Sequence, residues 1–101
     1  MAEILWTLGA VEDLEGIAEY ISRDSGVYAS VFVSKLVQSV EKLMEFPLIG
    51  RIVPEFEDKN LREIIVNDYR VVYCIKESQI GVVAVVHGGR DLIRRLTEEQ
   101  K

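Results

Sequence analysis

The sequence holds one cysteine, Cys74, and one histidine, His87, in 101 residues. A lone cysteine excludes an internal disulfide, and with a single histidine no His/Cys cluster of the usual metal-ligand kind can form. Zinc chemistry and a Cys-His-Asp nucleophile are set aside on the same ground, and no cofactor is expected. No stretch approaches the roughly 20 consecutive apolar residues needed to span a bilayer. The opening Met1-Ala2-Glu3-Ile4-Leu5-Trp6 lacks the basic region of a secretion signal, so a cytoplasmic chain with no membrane partner is expected. There is no internal repeat and no low-complexity tract. Positive charge is scarce in the first half: residues 1–50 carry only Arg23, Lys35 and Lys42 against 8 Asp+Glu, and the whole chain has a formal net charge of -5. An acidic domain has no general electrostatic footprint for nucleic acid, because such affinity rests mostly on neutralised phosphates. Any contact of that kind would be local, through the C-terminal arginines.

What is present is enough for one core. With 49% hydrophobic and 29% charged residues the composition excludes disorder as the main state, and residues 1–101 make one domain. At roughly 100 residues about two-thirds of the unfolded surface can be buried. Ile4, Leu5 and Trp6 suit a first or edge strand, and Thr7 is placed to cap a following helix. Ala10, Leu14, Ile17, Ala18 and Ile21 then line one helical face, with Glu12, Asp13, Glu15 and Glu19 expected to face water. Arg23-Asp24-Ser25-Gly26 breaks that helix, and Ser25 can cap the next. Ala29, Phe32, Val33, Leu36, Val37, Val40, Leu43 and Met44 form the longest apolar stripe, ending at Phe46-Pro47. The two helices are expected to pack antiparallel.

After residue 46 the period changes. Pro47 to Arg51 reads as a loop and Ile52 to Phe56 as an irregular or short extended piece. Three β-rich runs follow, Leu61 to Val66, Tyr69 to Lys76 and Gln79 to His87, separated tightly by Asn67-Asp68 and Glu77-Ser78. Asp91 to Glu99 reads as a weak, charged helix or tail. The fold class is therefore α+β, an N-terminal helical hairpin packed on a three- to four-stranded antiparallel sheet, with a short C-terminal helix or tail. A two-residue turn at Asn67-Asp68 would set Ile65 opposite Arg70 and Glu63 opposite Val72, bringing Glu63, Arg70 and Cys74 to the face away from the helices. A charged residue within an apolar strand, as Arg70 is, must reach solvent, a carboxylate or a ligand.

Taken in order, Trp6-Thr7 leading into Asp13-Leu14 and Ile17, Pro47-Leu48-Ile49-Gly50-Arg51, Val53-Pro54-Glu55, Leu61-Arg62-Glu63, Tyr69-Arg70-Val71-Val72-Tyr73 and Val85-Val86-His87-Gly88-Gly89-Arg90 resemble the ParE/RelE toxin family. These are toxin components of type II toxin-antitoxin systems, also called plasmid stabilisation proteins. The resemblance covers nearly the whole chain, and it rests on the joint order of the motifs. It implies a helical hairpin against an antiparallel sheet, and a cognate antitoxin that wraps the domain with a helix or strand. ParE-like members block DNA gyrase, and RelE-like members are ribosome-dependent mRNA endonucleases (mRNA interferases). Arg70 matches the strand arginine of the nucleases and Arg90 the arginine after the last strand. However, no lysine falls among Leu61, Arg62 and Glu63, and no tyrosine follows Arg90. A YoeB-like subgroup uses a Glu base, a strand Arg and a His acid, for which Glu55, Arg70 and His87 are the counterparts, with Gly88 where an aromatic normally follows.

The resemblance together with the acidic charge favours the ParE-like reading, a gyrase-binding toxin that is not an enzyme. Its target or partner contacts would come from Arg62, Arg70, Arg90, Arg94 and Arg95. The alternative is an mRNA interferase using Glu55, Arg70, His87 and Arg90, with ribosome and mRNA as partners. A third reading is a non-toxic interaction module that kept the fold. Each residue also has a structural reading: Arg70 as an ion pair with Glu63, His87 as a packing residue at a strand end, Arg90 as solvated charge, Glu55 as surface charge, and Arg51 as a loop holder bonding nearby carbonyls.

Overall fold

Two side-chain hydroxyls start the two long helices. Thr7, in extended conformation, accepts the Ala10 N–H at 3.1 Å, and Ser25 accepts the Tyr28 N–H at 3.1 Å, each satisfying a donor that the first helical turn leaves without a partner. The computed structural model describes the backbone of residues 1–88 and 90–99 and their side chains up to Thr97. It gives, in chain order, β1 (Glu3–Trp6), α1 (Leu8–Ser22), α2 (Gly26–Glu41) extended by a 3-10 turn (Lys42–Met44), β2 (Arg51–Ile52), β3 (Leu61–Val66), β4 (Tyr69–Lys76), β5 (Gln79–His87) and α3 (Leu92–Glu99). No helix among the described residues is long and apolar enough to cross a membrane.

The sheet has five strands in the order β1-β5-β4-β3-β2. Its centre is the antiparallel meander β3-β4-β5, in the register that a two-residue turn requires: Ile65 opposite Arg70 and Glu63 opposite Val72. Asn67 and Glu77 open the two turns at φ 54° and 55°, the left-handed region that tight hairpins need. Two short strands widen the sheet beyond the expected three or four. β2 pairs antiparallel on β3 through Arg51 and Ile52, and β1 lies parallel to β5, so the sheet is mixed. Parallel neighbours require a long crossover, and the α1/α2 hairpin supplies part of it. Spacing alone located β1 but not its partner or direction.

Helices and sheet share a core in which Phe32, Leu36, Val40 and Leu43 meet Val71, Tyr73, Ile80 and Val82. Strand alternation sends the intervening residues to the far face, where Val72, Ala84 and Val86 are covered by Val53 and by Leu92 of α3. An extra residue in β5 shifts its pairing with β4, since Val72 faces Ala84 while Tyr73 faces Val82. β1 covers β5 only up to Val82. Beyond it, the outer edge of β5 faces α1 and α3.

Candidate functional site

Arg70 enters the far face of the sheet from the middle of the meander and is only 7% exposed. Each of its three guanidinium nitrogens donates to a carboxylate. Nε donates to Glu63 Oε1 at 2.6 Å, while Nη1 and Nη2 donate to Glu55 Oε2 and Oε1 at 2.7 Å each. Glu63 is 1% exposed, and its other oxygen accepts from Arg51 Nε and Nη2 at 2.6 Å. The result is a chain of alternating sign, Arg51–Glu63–Arg70–Glu55, running from solvent through a buried carboxylate and a buried guanidinium to the loop after β2. Burying charge on this scale is tolerated only where each group is paired and hydrogen-bonded, as here. The two hydrogen bonds from Arg70 are the main cause that holds the Glu55 carboxyl down at about 2, overcoming the opposing effect of burial. The same bonds raise the Arg70 pKa further above its ordinary value.

The loop that leads into Arg51 is pinned by a buried tyrosine. Tyr73 is fully buried; its hydroxyl donates to the Pro47 carbonyl at 2.7 Å and accepts the Gly50 N–H at 3.0 Å. Gly50 must be glycine at this contact, because a Cβ would sit 2.5 Å from the Tyr73 hydroxyl and 2.6 Å from the Glu63 carbonyl oxygen. Arg62, a candidate for partner binding, instead holds this loop. Its Nε donates to the Lys59 carbonyl at 2.9 Å and its Nη1 to the Gly50 carbonyl at 2.9 Å. The carbonyl-bonding role expected of Arg51 thus falls to Arg62, and Arg51 pairs with Glu63. Gly50, Arg51, Tyr73 and Arg70 belong to two sequence motifs, and the fold joins them in one construction.

A second assembly lies at the outer edge of β5. Asp13, expected to face water, turns inward: Oδ2 accepts the Val85 N–H at 2.9 Å, and the carboxylate receives Arg95 through Nε at 3.0 Å and Nη2 at 2.8 Å. An edge amide left unpaired by the short β1 needs an acceptor, and Asp13 provides it while tying α1 to α3. Between these three elements runs a groove of about 920 Å³. It is lined by Glu12, Ile17 and Tyr20 of α1, by Tyr69 of β4, and by Arg90 and Arg94 from the segment after β5.

The structure therefore sorts the candidate residues into two places. Glu55 and Arg70 come together in the charge network. Arg90, Arg94 and Arg95 come together along the groove, and His87 joins them at the end of β5, edge-on to the Tyr69 ring at 5.5 Å. His87 pairs across the sheet with Tyr69 on the helix face, whereas Arg70 points to the far face. A Glu55–Arg70–His87 constellation on one surface does not form. Among the described residues no group of three or more His, Cys, Asp or Glu could hold a metal ion. Gly16 carries no signal in the sequence, and Asp13 enters only within the family motif and as a water-facing residue, not as part of a site. Asp13 sat among other acidic residues, and nothing in its spacing announced a strand edge as its partner.

Comparison with known proteins gives a consistent picture. Residues 4–92 match the family described as ParE toxin of type II toxin-antitoxin system, parDE. A curated relative from Caulobacter vibrioides, Toxin RelE2, is 30% identical over 91 residues, spanning 89% of this chain and 99% of that protein. A solved structure, described as the chromosomal ParDE TA system from P. aeruginosa, superposes with a TM-score of 0.73 at 21% identity, covering 86% of this chain and 96% of its own.

Proposed function

The chain belongs to the ParE toxin family of type II toxin-antitoxin systems, and from that premise we propose that it arrests growth in the cytoplasm by binding DNA gyrase, and that a cognate antitoxin neutralises it by docking in the groove between α1, β5 and α3. The observation that carries the binding reading over a nucleolytic one is the closed charge network. Cleavage of RNA at a ribose needs a cation available to the phosphate, with a base and an acid converging on the same bond. Here all three nitrogens of Arg70 donate to carboxylates, and Glu55 is held far below the pKa that suits a general base near neutral pH. His87 lies on the opposite face of the sheet. The net charge of -5 also supports a protein target over a nucleic acid one. Arg90, Arg94 and Arg95 stand together beside the groove, so an antitoxin seated there would also cover these three of the contacts proposed for gyrase.

The name of the Caulobacter relative, Toxin RelE2, favours a second reading, the mRNA interferase. Inducible expression without antitoxin separates the two. Blocked supercoiling by gyrase with intact mRNA is expected. Discrete cuts in translated mRNA, abolished by Arg70→Ala or His87→Ala in a folded protein, would overturn the gyrase reading. Normal growth with neither effect would mark a module that kept the fold without the toxicity.

A further inference from the structure

We propose that Gly16 is the point at which a helix of the antitoxin crosses α1 at close backbone distance. The inference rests on the antitoxin reading above and adds to it the form of the docking segment and the residue that admits it. Gly16 sits in the middle of α1, is exposed, and lines the groove. A glycine there weakens the helix relative to alanine. No described residue accounts for it, because an added Cβ would meet no described atom within 4 Å. Gly50 shows the contrast, since its missing side chain makes room for Tyr73 and the backbone of β3. The room at Gly16 is open on the groove wall, where the backbone of a docking chain can approach it.

The occupant is a helix because three groups along the outer edge of β5 already have partners. The Val85 N–H is held by Asp13, the Val83 carbonyl receives the Thr7 hydroxyl at 3.5 Å, and the His87 carbonyl receives the Arg90 N–H at 2.9 Å. A strand would have to displace these partners to pair along the whole edge, whereas a helix arrives with its backbone bonds satisfied. Asp13, Gly16, Ile17 and Tyr20 follow one another at three- and four-residue steps, so they form one face of α1, the wall that a second helix would pack on. Charge fixes the partner's character: an apolar stripe toward Ile17, Tyr20 and Tyr69, acidic side chains toward Arg90 and Arg94, and basic ones toward Glu12.

The test uses the full chain and the protein encoded by the reading frame adjoining its gene, with affinity measured by calorimetry and the melting temperature of the free toxin measured separately. Gly16→Ala is expected to raise the Tm of the free chain by about 4–8 °C. The same change is expected to weaken the complex by about 5- to 150-fold, the consequence of overfilling a close contact, and Gly16→Leu to weaken it more. Gly26→Ala, at a helical glycine that also has open space around it and lies off the groove, serves as the control and leaves affinity unchanged. Opposite signs for stability and affinity at one position identify a crossing contact. Unchanged affinity in both Gly16 variants, or a loss that only follows a loss of stability, overturns it. Failure of the wild-type chain to bind removes the antitoxin reading itself, and the crossing with it.

Discussion

Glu63 is the residue on which the far face depends, since it is buried to 1% exposure between two arginines. Removing one member of a buried ion pair leaves the other charge without compensation, at a cost of about 3–5 kcal/mol. Glu63→Ala is expected to lose that much in urea unfolding. The double variant Glu63→Met with Arg70→Met is expected to recover most of it, because an apolar pair removes both desolvation costs. Equal losses in the single and double variants would show that packing, and not charge, sets the stability. Glu55 gives the network its pH dependence. Its folded pKa of about 2 lies below the ordinary 4.5, so the stabilisation is complete above pH 4.5 and lost as pH falls toward 2. Glu55→Gln is expected to flatten that limb of the stability profile. Arg70 was legible in the sequence as a charge interrupting an apolar strand, and the hairpin register already named Glu63 as a partner. Glu55 was read as surface charge because loops carry no periodicity from which to infer a contact. The register also could not distinguish an arginine held by carboxylates from one kept for a ligand.

At the scale of elements, capping and turn chemistry were the most legible features. Thr7 and Ser25 cap the helices they precede, and the tight separators at Asn67-Asp68 and Glu77-Ser78 became two-residue hairpin turns. The turns differ in their fit to their first residue. Asn67 tolerates a positive φ, but Glu77, at φ 55°, has no short polar side chain to offset the crowding of its Cβ. Glu77→Gly is therefore expected to raise stability by about 0.5–1 kcal/mol in a chemical denaturation experiment, while Asn67→Gly changes it little. Asp13 marks where pattern reading stopped. Helical spacing placed it on the wet face of α1, and only the end of β1 at Trp6 exposes the β5 amide that draws it in. The segment Asp91 to Glu99 reads as a helix or a charged tail, and the structure makes it a helix; its burial rests on Leu92 and on Leu96 packed beside it, too few residues for a period to decide between the two.

At the scale of the molecule, the layer order was legible from the switch in period after residue 46, and the mixed sheet was not. Apolar spacing says that β1 is extended but not which strand receives it, and the answer lies at the other end of the chain. The pairing of Glu3 with Gln79 joins residues separated by 76 positions. Most of the remaining architecture is local: two helices joined by a short turn, and three strands joined by hairpins. Closing a loop of that length costs entropy before any contact repays it, and rates fall as such contacts dominate. The docking of β1 is therefore expected to follow the folding barrier. Conservative truncations at Ile4 and Trp6 should accelerate unfolding and leave the folding rate unchanged, with φ-values near zero, whereas Val71 and Val82 in the meander should give high values. Values near one at Ile4 would place strand closure in the nucleus instead. The consequence concerns time more than energy: a newly made chain passes through a stage in which the whole outer edge of β5 lacks its neighbour, and the first four-residue strand finishes a sheet that the last long strand began.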